Sequence, residues 1–427
     1  MDCWINGNSK DCLQVMKVAT FVVLFISLIV ASERELLAQD WPQWRGPNRD
    51  GSLNGFIAPK SWPKELKQVW KTPIGSGYSS PVTAQGRVYT HTLQNEREVV
   101  SCIDLNSGKI LWSKDYPASY TSNQYATSMD KGPRATPLLH AGKLFTLGAT
   151  TILSCFDAKT GEMKWRKDYS AQTDFSKLFT GAGMSPVIEG GNLIVHVGDD
   201  RKGWLIAFDA ETGNEKWKLE GDGPGYASPI VVELEGTRQI VTLTDKSAIG
   251  VEASSGKLLW SMPFPDEWIE NIVTPLVYKK TLILSGVRKS TMAIRVIKNG
   301  DNWTTERVWE NKDLPMYMSS PVLSGDHLFG FSNRRSGQFF CLDANTGAML
   351  WQTEGRDGKN ATLLTAGELL ILLTDEGKLT IAKNNPKTFE PVVQYSVGES
   401  PTWAHPIFLG KNILIKDNSS LALLSFE

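Results

Sequence analysis

The chain has 427 residues, 41% hydrophobic and 21% charged, with a formal net charge of −1. This is an ordinary globular composition with apolar surface for a large core, and near-neutrality excludes a dedicated nucleic-acid binder, which needs a basic surface to displace counterions. At about 150 residues per domain the length suggests roughly three domains, a rule that all-β folds often break, so the placement of the 15 Trp and 37 Gly matters more.

Residues 18–31 (VATFVVLFISLIVA) are uncharged and follow Lys17. They make about 21 Å of helix, short of the roughly 20 residues of a bilayer span and right for a signal-peptide core. Residues 1–38 are therefore expected to be a signal peptide, cleaved after Ala31 or Ala38, with 1–15 an over-extended start before Met16-Lys17; an uncleaved signal anchor is the alternative. No Cys stands where a lipid would be attached. The expected location is the periplasm or cell exterior, with no membrane span in the mature chain. Cys102, Cys155 and Cys341 remain, each in a Cys-x-Asp context, and read as small buried core residues because equivalent positions of separate repeats stand too far apart for a disulfide.

A lead-in, residues 39–61, contains the stretch WPQWRGPNRDG from Trp41 to Gly51. Beyond it, from 62 to 427, the chain repeats itself. Four ungapped segments, CIDLNSGKILW (Cys102 to Trp112), CFDAKTGEMKW (Cys155 to Trp165), AFDAETGNEKW (Ala207 to Trp217) and CLDANTGAMLW (Cys341 to Trp351), share a small residue, then Asp, then Gly, then Trp; GVEASSGKLLW (Gly250 to Trp260) follows with Glu252 for Asp. The D-x-x-[TS]-G stretch is a hairpin turn in which the carboxylate accepts from turn N–H groups and Gly takes a positive φ. The small residue makes room for a bulky neighbour, and Trp brings a large rigid surface to pack between repeats.

A second marker lies upstream of each turn: Ser80-Pro81, Thr136-Pro137, Ser185-Pro186, Ser228-Pro229, Thr274-Pro275, Ser320-Pro321 and His405-Pro406. Proline is tolerated there because a strand start needs no ladder donor. One unit thus reads strand A after the marker, strand B, strand C ending at the Asp, and strand D carrying the Trp. The prolines stand 56, 49, 43, 46 and 46 residues apart, then 85, across a unit (358–397) that lacks the marker and has Tyr395 for Trp; 271–311 is another weak unit, keeping Pro275 and Trp309. The C-terminus supplies strands A, B and C of a last unit, and the N-terminus supplies a lone strand D around Trp70. Joined, they close an eight-bladed β-propeller of four-stranded antiparallel blades, all-β, its last blade completed by an N-terminal strand.

The A-x-D-x-x-T-G-x-x-x-W units resemble the tryptophan-docking repeats of the PQQ-like propeller family, and the Trp41–Gly51 stretch resembles a lead-in of its exported, BamB-like members. The resemblance implies one of two kinds of protein: a quinoprotein dehydrogenase holding pyrroloquinoline quinone (PQQ) and Ca²⁺, or a non-catalytic scaffold like BamB of outer-membrane biogenesis. The dehydrogenase reading asks for a vicinal Cys-Cys pair, as in methanol-type members, and for a carboxylate cluster apart from the turn acids; neither is found in the sequence.

Seven tryptophans, Trp70, Trp112, Trp165, Trp217, Trp260, Trp309 and Trp351, are expected to dock blades rather than stack ligands, their spacing being regular. Alternating strand direction puts B–C and D–A loops on one face. The B–C loops carry Arg201-Lys202, Arg288-Lys289 and Arg334-Arg335, a candidate basic arc or simply solvated loop charge. Three residues before each marker proline stand Tyr78, Arg134, Gly183, Tyr226, Ile272, Met318 and Trp403, with Tyr317 adjacent; if strand A lines the channel, they ring its mouth, either as a contact face or as packing beneath the loops. The five His show no metal spacing. The expectation is a monomeric, exported scaffold without cofactor, catalytic residue or metal, binding another envelope protein or polymer; the alternatives are a PQQ- and Ca²⁺-dependent dehydrogenase and a carbohydrate-binding propeller.

Overall fold

The computed structural model describes residues 40–427 except 266, 267 and 269. The signal-peptide expectation for 1–38 lies outside the described residues. Among them, no helix is long and apolar enough to cross a membrane.

The repeats build eight four-stranded antiparallel sheets. In blade 1, strands A to D are Val82–Ala84, Arg87–Gln94, Arg97–Asp104 and Ile110–Pro117, and the other blades follow the same order. Blade 8 joins the two ends of the sequence: Ile407–Leu409, Asn412–Lys416 and Ser420–Ser425 supply A, B and C, and Lys67–Pro73 pairs with Ser420–Ser425 as strand D, Trp70 opposite Leu423. The ring is an eight-bladed β-propeller. Closure of the last sheet by the first strand leaves no unpaired blade in the ring.

The unit's consensus positions have direct structural counterparts. The small residue on strand C lies opposite its own blade's Trp on strand D, as in Cys102 and Trp112 or Ala207 and Trp217, with a β-bulge immediately after. The three cysteines are buried and unpaired. The turn Asp caps its hairpin: Asp209 Oδ1 accepts from the Thr212 N–H at 2.9 Å, and those bonds hold its carboxyl down at about 2. The turn Gly does two jobs. Gly213 has φ +71°, and a Cβ there would lie 2.7 Å from the Trp165 ring of the preceding blade.

That contact is the dock. Trp70, Trp112, Trp165, Trp217 and Trp309 each donate their indole N–H to a carbonyl in the next blade's turn, Leu105, Ala158, Ala210, Ala253 and Ala344. Trp351 donates to Asn385 at 2.9 Å, in the degenerate turn of blade 7. Trp260 departs from the expectation. The following blade replaces the D-x-x-T-G turn with a long hairpin, Thr291–Asn299 and Asn302–Asn311, so there is no turn to receive it. Its N–H goes instead to Gln239 Oε1 of its own blade at 2.8 Å. Gly250, where other units have Cys or Ala, gives the space, since any Cβ there would collide with the Trp260 nitrogen. Tyr395, in the tryptophan position of blade 7, donates to Pro63 O at 2.9 Å.

The lead-in lies inside the ring. Trp41 exchanges backbone bonds with Thr83, both 2.9 Å, and the Leu139 N–H donates to Pro42 O. Arg49 donates to Pro186 O at 2.8 Å and Ser185 O at 3.2 Å, and Arg45 to Asp50 O and Pro321 O. Trp44 Nε1 reaches Thr274 Oγ1 at 3.1 Å, and Leu53 and Gly51 pair with Thr365. Contacts therefore fall on the inner strands, or the residues leading into them, of blades 1, 2, 3, 5, 6 and 7, and the Trp44 ring packs edge-on against His405 of blade 8 at 4.5 Å. The segment plugs the axial channel. Arg45 and Arg49 are fully buried on carbonyl acceptors; burial lowers them to about 10 and about 9, Arg49 further through the charge of Arg45.

Candidate functional site

The marker serines and threonines stitch the inner strands together above this plug. Main-chain N–H groups of Thr136, Ser185, Thr274 and His405 donate to the hydroxyls of Ser185, Ser228, Ser320 and Ser80 in the next blade, at 2.9–3.1 Å. In blade 7, Ala361 N donates to Ser319 Oγ, whose hydroxyl in turn donates to Asn360 Oδ1 at 2.6 Å. At the serine markers the hydroxyl, not only the proline, is what the marker contributes: it satisfies N–H groups at the start of the preceding blade's inner strand that the channel would otherwise leave unpaired.

The residues three before each proline come together. Tyr78, Arg134, Gly183, Tyr226, Ile272, Met318 and Trp403 all line one cavity of about 120 Å³, open on the face of the D–A loops. Tyr78 and Trp403 stack, centroids 4.9 Å apart and planes 27° from parallel. The Arg134 guanidinium sits 5.3 Å from the Tyr78 centroid, and both of its terminal nitrogens donate to carbonyls, of Gly132 and Asp130. The Tyr226 hydroxyl accepts from Thr180 N at 2.9 Å, and burial pushes its phenol up to about 12. Trp44 of the plug, Asn360, Met129 and Phe179 also line it, together with Thr180 and the marker residues Ser185, Ser228, Thr274 and Ser320. Sequence reasoning missed the first four, which stand in the lead-in, in the unit without a marker and in D–A loops, where no period identifies them. Tyr317 is not in this wall; its hydroxyl bonds Glu270 Oε1 at 2.7 Å between neighbouring loops.

The dibasic pairs stand on the same face but do not merge. Arg201 is 2.6 Å from the buried Asp199 carboxylate, and Lys202 lies 4.9 Å from the Trp204 ring. Arg288 lies 5.4 Å from the Trp268 ring, and Lys289 Nζ is 3.1 Å from Asn271 Oδ1. Arg334 bonds Lys312 O at 3.2 Å, and Arg335 is exposed. Between the pairs of blades 3 and 5 falls the B–C turn of blade 4 with the buried Asp245, pushed up to about 6 by burial.

One constellation looks reactive and is not reachable. His91 Nε2 is 3.1 Å from Glu98 Oε2, to which the Tyr116 hydroxyl donates at 2.5 Å, and Ala149 N donates to Oε1 at 2.7 Å. Both the His91 and Glu98 side chains are wholly enclosed, so this is a seam between blades 1 and 2 rather than a site. A Ca²⁺-quinone centre asks for six to eight oxygen donors, several of them anionic. The cavity wall contains no carboxylate, and among the described residues no group of three or more His, Cys, Asp or Glu is placed to hold a metal ion. The residues present do not fit that centre.

His405 beneath the cavity gives a pH signature. Burial, and then the charge of Arg45, push it down to about 3, against about 6.5 in an unfolded chain. It folds neutral, so its contribution is complete above pH 6.5 and is lost as pH falls, by about 2 kcal/mol between pH 7 and 5. Asp245 works in the opposite sense in any variant, so the comparison with His405→Phe isolates the histidine. Urea unfolding at the two pH values should show the wild type losing about 2 kcal/mol more than the variant; equal losses would contradict the buried neutral assignment.

Eight four-stranded blades, six of them docked to the next through a tryptophan N–H, around a plugged axis define a propeller of the PQQ-like repeat class. The family model described as outer membrane protein assembly factor BamB matches residues 96–353, and the chain belongs to that family. It is 23% identical over 256 residues to the outer membrane protein assembly factor BamB of Shewanella oneidensis, covering 58% of this chain and 62% of that protein. It is 29% identical over 144 residues to the quinohemoprotein alcohol dehydrogenase ADH-IIG of Pseudomonas putida, covering 33% of this chain and 19% of the relative. The match thus spans less than two thirds of either protein. The crystal structure of quinohemoprotein alcohol dehydrogenase from Comamonas testosteroni superposes with a TM-score of 0.70 at 14% identity, over 91% of this chain and 80% of that one; this likeness concerns the fold alone.

Proposed function

We propose that the chain is a non-catalytic recognition scaffold of the cell envelope, which presents its D–A and B–C loop face to another envelope protein. The observation that carries this reading is the plug: Trp41 to Leu53 occupies the axis, so one face keeps an open, aromatic-walled mouth, and no acid stands there to act as base or metal ligand. Aromatic side chains with arginine at a concave centre are the composition of interface hot spots. Kinship with proteins named outer membrane protein assembly factors supports an envelope partner over an alcohol substrate.

The dehydrogenase alternative has its own support in the Pseudomonas relative and is tested directly. Purified protein mixed with PQQ and Ca²⁺ should develop no bound-quinone absorbance and no alcohol-dependent dye reduction. Stoichiometric quinone uptake with dye reduction would overturn the non-catalytic reading.

A further inference from the structure

The mouth cavity is more specific than a contact face requires. Its volume is about 120 Å³, close to the roughly 150 Å³ of an apolar protein cavity that takes up benzene. Aromatic rings make much of its wall: Trp44 from the plug, the Tyr78–Trp403 stack and Tyr226. Met318 adds a polarizable surface that adapts to a flat guest. That space and those surfaces suit one six-membered ring.

Two polar details narrow the class. Arg134, the charged residue of the wall, has both terminal nitrogens donating to main-chain carbonyls, so a carboxylated guest would enter without a dedicated counter-charge. Asn360 is 5% exposed, and its oxygen accepts from Ser319 Oγ; among the described residues its NH₂ group has no hydrogen-bond partner, which leaves it as a donor to the cavity that Asn360 lines. A guest ring bearing a neutral acceptor would satisfy that donor, whereas a bare hydrocarbon would not.

We propose that this cavity binds a single neutral phenolic ring, stacked among Trp44, Tyr78 and Trp403 with its hydroxyl oxygen accepting from Asn360. The ring is supplied either by a free phenol or by a tyrosine side chain of a partner. The proposal rests on the reading of this face as a recognition surface and names what its centre recognises.

The test is calorimetric titration of the whole protein with p-cresol, toluene and the peptide Gly-Gly-Tyr-Gly-Gly. p-Cresol should bind saturably, one per chain, with a dissociation constant in the millimolar range or tighter, and several-fold more tightly than toluene. Met318→Trp, which fills the cavity from one wall, should weaken p-cresol about tenfold or more, equivalent to about 1.4 kcal/mol; Ile272→Phe, from the neighbouring blade, is the second filling variant should the first fold poorly. Asn360→Ala should bring p-cresol and toluene towards equal affinity. Tighter binding of the peptide than of p-cresol assigns the ring to a partner's tyrosine, and the reverse assigns it to a free phenol. No saturable p-cresol binding, or binding indifferent to both filling variants, would overturn the proposal. Such a failure alongside cross-linking of a partner at this face would leave the scaffold reading standing, while phenol binding without any partner there would leave only the cavity.

Discussion

Trp41→Ala should lower the stability of the ring by about 3–5 kcal/mol, the cost of removing a large, fully buried aromatic side chain. Trp41 is 1% exposed and carries the first anchor of the plug, the paired bonds to Thr83. Its ring also covers Gly46, where a Cβ would stand 2.7 Å from the indole and where φ is +84°, so the turn that sends Arg45 and Arg49 into the axis is moulded on it. Losing the indole should loosen residues 40–53 before the blades. Urea unfolding reads the magnitude, and amide exchange reads the order, with Gly51 and Leu53 exchanging faster while the strand ladders stay protected. A loss under about 1 kcal/mol would mean that the plug is not part of the structural core.

The second large effect concerns docking. Gly213→Ala should cost about 3 kcal/mol: about 1–2 for a side chain held at φ +71°, and the remainder for a Cβ driven into the Trp165 ring. Trp165→Ala should cost about 3 kcal/mol, at the lower end for a half-buried indole that also loses its bond to Ala210. The two should not add. Without the indole there is nothing for the new Cβ to strike, so Gly213→Ala in the Trp165→Ala background should cost only its backbone share, and the cycle should show about 1–2 kcal/mol of coupling. Additive losses would contradict the dock. The same experiment at Gly250 and Trp260 probes an interaction inside one blade.

What the sequence disclosed, and what it hid, follows from the range of each interaction. The blades were readable because hairpin chemistry is local: Asp, Gly and Trp four residues apart report a turn and the strand after it. Closure was readable too, since a lone strand around Trp70 and a unit lacking strand D have to find each other. The turned Trp260 had a signal, the Gly at 250 together with the missing turn in the next unit, that spacing alone did not interpret. The mouth residues followed from the marker register, but Asn360 belongs to the one unit without a marker. The plug was hidden for a different reason. Residues 40–53 have no period, and their partners are main-chain carbonyls and N–H groups far along the chain, such as Pro186, Pro321 and Thr365, which any side chain would present equally.

The face assignment is tested most directly by site-specific photo-cross-linking in intact envelopes. A benzophenone side chain would be placed at Tyr125 or Arg335 on the loop face, and at Lys159 or Asn345 in the docking turns of the opposite face. A discrete partner band from the loop-face positions, absent from the turn positions and weakened by Arg334→Glu with its neighbour intact, is the predicted result. Bands only from the turn positions, or none from either face, would contradict the account.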